Sequence, residues 1–167
     1  LRHAKTENWF QGSDDAGRAL TARGHADSEL IGAELMRLGW LANCTLVSSA
    51  RRTRETWARI APLMPEAELK ISDDLYLASV HTIKQHIFDE WETDTLMLIG
   101  HNPGFYDLSM ELAKSGQPNP AALEDLYIKA LPTAAATLFE VEADRSIENS
   151  RFHLTHMLTA KTLRQSL

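Results

Sequence analysis

The stretch that most constrains the fold is Thr95-Leu96-Met97-Leu98-Ile99-Gly100-His101-Asn102-Pro103-Gly104. Residues 95–99 form a continuous apolar run, the pattern of a central strand buried on both faces. Gly100 to Gly104 carry turn chemistry, and 105–114 reads as the next helix. A buried strand, a tight turn and a helix in direct succession belong to a sheet covered by helices. The same order recurs. Residues 45–48 are a short strand candidate, after which Ser48 or Ser49 can cap a helix through Arg52, Thr56, Ile60 and Leu63, ended by Pro65. Residues 68–72 alternate as a strand, and Ser79 can cap a helix over 80–91 whose apolar side is Val80, Ile83, Ile87 and Trp91.

Upstream, Leu30, Ile31, Leu35 and Leu38 recur at helical spacing over 26–38, and Gly39 supplies the stop. The segment from Trp9 to Thr21 is rich in Gly, Ser and Asp and reads as loop. Downstream, 115–120 is loop and 121–127 a short helix. Strands are expected over 134–141 and 151–158, with a final helical turn over 160–165. The alternation predicts a three-layer α/β/α sandwich with a mostly parallel central sheet. At 167 residues the chain fits one domain, 1–167. Leu1 stands directly ahead of Arg2-His3, where an α/β domain should be finishing a strand. The first N-terminal strand is therefore expected to be missing.

Charge narrows the partners. A net charge of -6 argues against broad nucleic-acid binding or attachment to an anionic membrane. No apolar run reaches the length of a membrane span, and the cytoplasm is the default compartment. The lone Cys44 has no partner for an internal disulfide and reads as a small buried hydrophobe.

Three stretches can carry chemistry. In Leu1-Arg2-His3-Ala4-Lys5, a guanidinium fork sits beside an imidazole, and the two can serve an oxyanion and a nucleophile respectively. Arg52 falls near the start of a helix, where an anion is favoured, although Arg51, Arg54 and Arg59 make a solvated basic face the simpler reading of any one of them. His101 stands at the carboxyl end of the buried strand, where open α/β sheets gather ligands, or else bonds a loop carbonyl. The other histidines are less suited. His81 and His86 are five apart on a predicted helix, and His153 and His156 are three apart on a strand and face opposite ways. None has the Cys or carboxylate company of a metal site, so metal-independent chemistry without a cofactor is expected.

Taken together, Arg2-His3-Ala4, Ser48-x-x-x-Arg52-x-x-x-Thr56 and Gly100-His101-Asn102-Pro103-Gly104 resemble the histidine phosphatase superfamily, with its phosphoglycerate-mutase-like fold. Within it the chain looks most like the small SixA-type phosphohistidine phosphatases. Further likenesses are Asp15-Ala16-Gly17-Arg18-Ala19-Leu20-Thr21-Ala22-Arg23-Gly24, Asp74-Leu75-Tyr76-Leu77-Ala78 and Leu131-Pro132-Thr133-Ala134-Ala135, in order along nearly the whole chain. The resemblance implies that His3 is the nucleophile and that Arg2, Arg52 and His101 surround the phosphoryl oxygens. Water would then hydrolyse a phosphohistidine intermediate. A carbonyl accepting from one ring N–H of His3 would hold the attacking tautomer.

One departure matters. Many relatives carry a glutamate near the position of Leu77, an acid that protonates an alkoxide leaving group. Asp73, Asp74, Glu124 and Asp125 are the candidates to replace it. Imidazole leaves without such help, because its conjugate acid has a pKa of about 6.5. The resemblance thus implies phosphohistidine of a signalling or phosphotransfer protein as substrate. A small phosphorylated molecule, or a phosphate-binding adaptor role without turnover, are the alternatives.

Overall fold

The computed structural model describes residues 1–10, 12 and 14–166. Its elements follow one another as α1 (Ala22–Arg37), β1 (Cys44–Ser48), α2 (Arg51–Ile60), β2 (Glu68–Ser72), α3 (Val80–Asp89), β3 (Leu96–Ile99), α4 (Gly104–Ala113), α5 (Pro120–Lys129), β4 (Ala135–Glu142), β5 (Arg151–Thr159) and α6 (Ala160–Gln165). Most helices start on a side-chain cap. Thr21, Ser79, Asn119 and Thr159 accept from backbone N–H groups in the first turns of α1, α3, α5 and α6.

Helix α2 breaks that pattern and corrects the expected Ser48 or Ser49 cap. Its N-cap is Ala50, without a side-chain bond. Ser48 is unavailable because its hydroxyl meets His101 Nε2 at 2.8 Å. Instead the Thr53 hydroxyl turns back to the carbonyls of Ser48 and Ala50, and the Arg51 N–H donates to Ala16 C=O from another loop.

The fold is mixed α/β. Strands β2, β1 and β3 form a parallel sheet in that order, with Val47 opposite both Ile71 and Ile99. Strands β4 and β5 pair antiparallel. Residues 1–3 join the two sheets. Arg2 bridges Gly100 in parallel and Ala135 in antiparallel sense, while His3 N–H donates to Gly100 C=O at 3.1 Å and His3 C=O accepts from Ala134 N–H at 3.0 Å. The strand buried on both faces is β1, all five of whose residues are buried, rather than β3. Leu96, Met97 and Leu98 are only half-buried because β3 borders an apolar cleft of about 360 Å³ that β4 lines from the other side.

Apolar side chains gather in two cores. One collects Cys44 and Leu46 of β1 with Ile83, Phe105, Leu112, Leu126 and Leu154; the other collects Val47 with Ile31, Leu35, Trp57, Ile60 and Leu138. Alternate residues of β1 thus feed opposite sides. The edges where β1, β3 and residues 1–3 end are what gather the site.

Candidate active site

His3 is 8% exposed and held at both ends of its short segment. The next residue, Ala4, donates its N–H to Thr56 Oγ1, and that hydroxyl in turn bonds the Arg52 carbonyl one helical turn back. The segment carrying His3 is therefore pinned to the helix carrying Arg52. His3 Nδ1 lies 2.8 Å from the Ala4 carbonyl oxygen, which can only accept, so the ring proton sits on Nδ1. Nε2 keeps its lone pair. Burial, followed by the charges of Arg52, Arg2 and Arg18, lowers the His3 pKa to about 4, against the opposing pull of the Ala4 carbonyl. The ring is neutral at pH 7.

His101 is 2% exposed, and its ring centroid lies 5.2 Å from that of His3. The tight turn that holds it has no spare room. A Cβ on Gly104 would stand 2.1 Å from the Ala78 carbonyl oxygen. Its Nδ1 accepts from Arg52 Nε at 3.3 Å, which puts the proton on Nε2, facing Ser48 Oγ. Burial, then Arg52, lowers its pKa to about 3. In the free protein, therefore, neither ring nitrogen offers a free donor. The expected donation to an oxyanion requires a second proton, which a bound anion would favour.

The two arginines are held differently. Arg52 is 3% exposed; Nη1 donates to the Asp15 carbonyl at 2.6 Å and Nη2 pairs with Asp15 Oδ2 at 3.1 Å. Arg2 is half-buried, with Nη1 on the Leu131 carbonyl at 3.1 Å and a buried Nε lacking any hydrogen-bond partner among the described residues. Burial and the nearby Arg52 charge both work against its ionised form. An anion between the two would answer this repulsion.

The four residues singled out in the sequence are thus brought together. Asp15, Arg18 and Tyr76 were missed as members of the group. Asp15 accepts from the Tyr76 hydroxyl at 2.7 Å and from Arg18 Nη1 at 2.9 Å, and the Tyr76 ring stands edge-on to His101. The Tyr76 hydrogen bond, then Arg18 and Arg52, hold the Asp15 pKa at about 2, so it is a carboxylate and no proton donor at neutral pH. The spacing Asp15-x-x-Arg18 was the available signal, hidden in a segment that composition marks only as loop.

The candidate replacement acids make no hydrogen bond or ion pair with His3, Arg2, Arg52 or His101 among the described residues. Asp73, Asp74 and Glu124 are exposed, and Asp125 pairs with Lys129. Leu77 is 51% exposed with φ of +49°. Among the described residues no three His, Cys, Asp or Glu side chains gather as a metal site, and no helix is long and apolar enough to cross a membrane.

Known proteins share this architecture. A protein assigned as the phosphohistidine phosphatase SixA of Agrobacterium tumefaciens superposes with a TM-score of 0.78, at 24% identity over 95% of each chain. The fold is that of the SixA-type histidine phosphatases. The histidine phosphatase SixA complexed with tungstate matches at a TM-score of 0.68 and 18% identity, over 98% of this chain and 96% of that one. A mycobacterial glucosyl-3-phosphoglycerate phosphatase shares the fold at 0.67 and 14% identity, over 93% and 95%. In sequence, an uncharacterized chloroplastic protein of Arabidopsis thaliana is 32% identical over 126 residues, 68% of this chain. The chain spans 57% of that relative's length. No protein-family model matches.

Proposed function

We propose that the protein is a phosphatase that works through a covalent phosphohistidine on His3, with phosphohistidine of a signalling or phosphotransfer protein as its substrate. The observation that carries this reading is the tautomer of His3. Nδ1–H is committed to the Ala4 carbonyl, leaving Nε2 unprotonated beside the paired arginines. In the first step the Nε2 lone pair attacks phosphorus, and the P–N bond to the substrate imidazole breaks. Its electron pair returns to the leaving nitrogen, which takes a proton from solvent and departs as neutral imidazole. Arg2, Arg52 and a His101 protonated in the complex stabilise the equatorial oxygens, each donor contributing on the order of 10²–10³-fold. Water then attacks phosphorus, the Nε2–P bond breaks, and inorganic phosphate leaves with restoration of neutral His3.

The phosphoramidate preference rests on the state of Asp15, the carboxylate that reaches this cluster. Held near pKa 2, it has no proton for an alkoxide. A second reading, a small-molecule phosphomonoesterase, draws on the same fold in the glucosyl-3-phosphoglycerate phosphatase. The two cores on opposite sides of β1 support the finer fold that accompanies the proposal, a three-layer α/β/α sandwich. Hydrolysis of a phosphohistidine protein measured beside a panel of small phosphate esters decides between the readings. Faster turnover of an alkyl ester would overturn the first, and inactivity on every substrate would leave an anion-binding domain.

A further inference from the structure

Two sequence motifs have no part in the chemistry above, Asn102 in the His101 turn and Leu131-Pro132-Thr133-Ala134-Ala135. The structure puts them in contact. Asn102 Nδ2 donates to the Ala130 carbonyl at 3.2 Å and to the Leu131 carbonyl at 3.1 Å, and the Leu131 carbonyl is the one that also accepts from Arg2 Nη1. The turn they hold is strained. Ala130, Leu131 and Ala134 have φ of +49°, +49° and +51°, a region unfavourable to residues with a Cβ. Together they are three of the four non-glycine residues with positive φ among those described. The far end of the turn donates Ala134 N–H to the His3 carbonyl.

We infer that Asn102 is a positioning residue, which locks the strained 130–134 turn so that the Leu131 carbonyl aims the Arg2 guanidinium at the oxyanion. The inference rests on the reading of Arg2 as an oxyanion clamp. The amide has one sensible orientation, since a flip would set its oxygen against two carbonyl oxygens. That orientation leaves Asn102 Oδ1 buried without a partner among the described residues. Both donors serve the turn. Without them the turn can relax toward negative φ, and the Leu131 carbonyl leaves its place beside Arg2.

The test is a double-mutant cycle on tungstate binding and on phosphoimidazole hydrolysis, with thermal unfolding followed in each variant. Asn102→Ala should weaken tungstate about tenfold in the parent and change it by no more than about twofold in the Arg2→Ala background, the non-additivity expected of residues acting as one unit. Ala130→Gly, which removes the Cβ from the left-handed position, should recover part of the loss in Asn102→Ala. If Asn102→Ala does not fold, Asn102→Ser keeps one donor and supports the same cycle. Equal losses with and without Arg2, no loss at all, or no recovery by Ala130→Gly would overturn the positioning role. Unchanged tungstate affinity in Arg2→Ala would overturn the clamp reading itself, and this inference with it.

Discussion

Arg52 and Arg2 both bring their charge to bear on His3 and are built on opposite plans. Arg52 grows from the first turn of α2, is almost wholly buried, and has its charge answered before any ligand arrives by Asp15. Arg2 sits on the bridge between the two sheets and has no carboxylate within ion-pair distance among the described residues. Its Nε is buried without a partner among the described residues, and its Nη1 bonds a carbonyl of a strained turn. A buried guanidinium needs a counter-charge to be tolerated. Arg52 is therefore part of the folded structure as well as of the site, whereas Arg2 is a charge waiting for an anion. The first should be felt in stability and function alike, the second in function alone.

The largest effect belongs to the group between them. His3→Ala should abolish turnover and the trapped phosphoenzyme, detected after a quench that avoids acid, which hydrolyses phosphohistidine. Full activity in that variant would remove the covalent step. The pH profile checks the same residue without mutation. A pKa lowered to about 4 means that the nucleophilic form is complete above that value and lost as pH falls through it. The acid limb of kcat/KM on a non-titrating substrate should then lie well below the 6.5 of an ordinary imidazole.

Next come the arginines. Arg52→Ala should cost ~2–5 kcal/mol of transition-state stabilisation, the scale for one partner removed from a buried charge pair, and should also lower Tm because Asp15 loses its buried counter-ion. Arg2→Ala should weaken tungstate comparably yet move Tm less, since relief of repulsion from Arg52 offsets the lost carbonyl contact. Arg51 and Arg54 are exposed, and alanine at either should leave kcat/KM within about twofold. Equal Tm losses in Arg2→Ala and Arg52→Ala would erase the distinction between the two plans.

A smaller effect follows at the counter-ion. Asp15→Asn keeps the shape and the backbone carbonyl that holds Arg52 Nη1, and removes only the charge. We expect a loss of roughly 10- to 100-fold in kcat/KM, in keeping with ~1.5–3 kcal/mol for a hydrogen bond to a charged group. Tyr76→Phe should cost less, because Arg18 and Arg52 still face the carboxylate. A faster Asp15→Asn enzyme would recast Asp15 as a competitor for Arg52.

The two halves also differ in how far the sequence disclosed them. The Arg52 half follows from local rules, a buried strand running into a helix with Ser48, Arg52 and Thr56 at four-residue spacing; the strand starts one residue early, and the helix ends at Ile60, short of the expected Leu63, with 61–63 tightened into a 3-10 turn. The cap was misjudged because Ser48 faces a histidine 53 positions away. The Arg2 half depends on long-range pairing. Nothing local tells that Arg2 bridges Gly100 and Ala135, or that three residues with side chains adopt positive φ beside it. Asp15 was illegible for the same reason, its partners Arg52 and Tyr76 lying 37 and 61 positions away.

A last effect is expected at Leu77, near which the family resemblance leads one to expect a glutamate. Leu77 follows Tyr76, whose ring stands 5.4 Å from that of His101, so the position is one residue from a side chain of the cluster. It is also 51% exposed with φ of +49°, a conformation no harder for glutamate than for leucine. A solvated carboxyl keeps a pKa of about 4.3 and is almost wholly ionised at pH 7, so it can supply little of the ~10²–10⁴-fold that a tuned general acid provides. Leu77→Glu should therefore raise alkyl phosphate hydrolysis by no more than about tenfold, the aryl ester less because phenoxide leaves more readily, and phosphohistidine scarcely at all. Activity should rise as pH falls toward that carboxyl's pKa, since only the protonated form donates. The ratio of alkyl phosphate to phosphohistidine turnover, parent against Leu77→Glu, reads the effect free of changes in folded fraction. A parent enzyme that hydrolyses alkyl phosphates as readily as phosphohistidine would show that an acid is already at work, and Asp15 would then have to gain a proton once phosphate displaces it from Arg52.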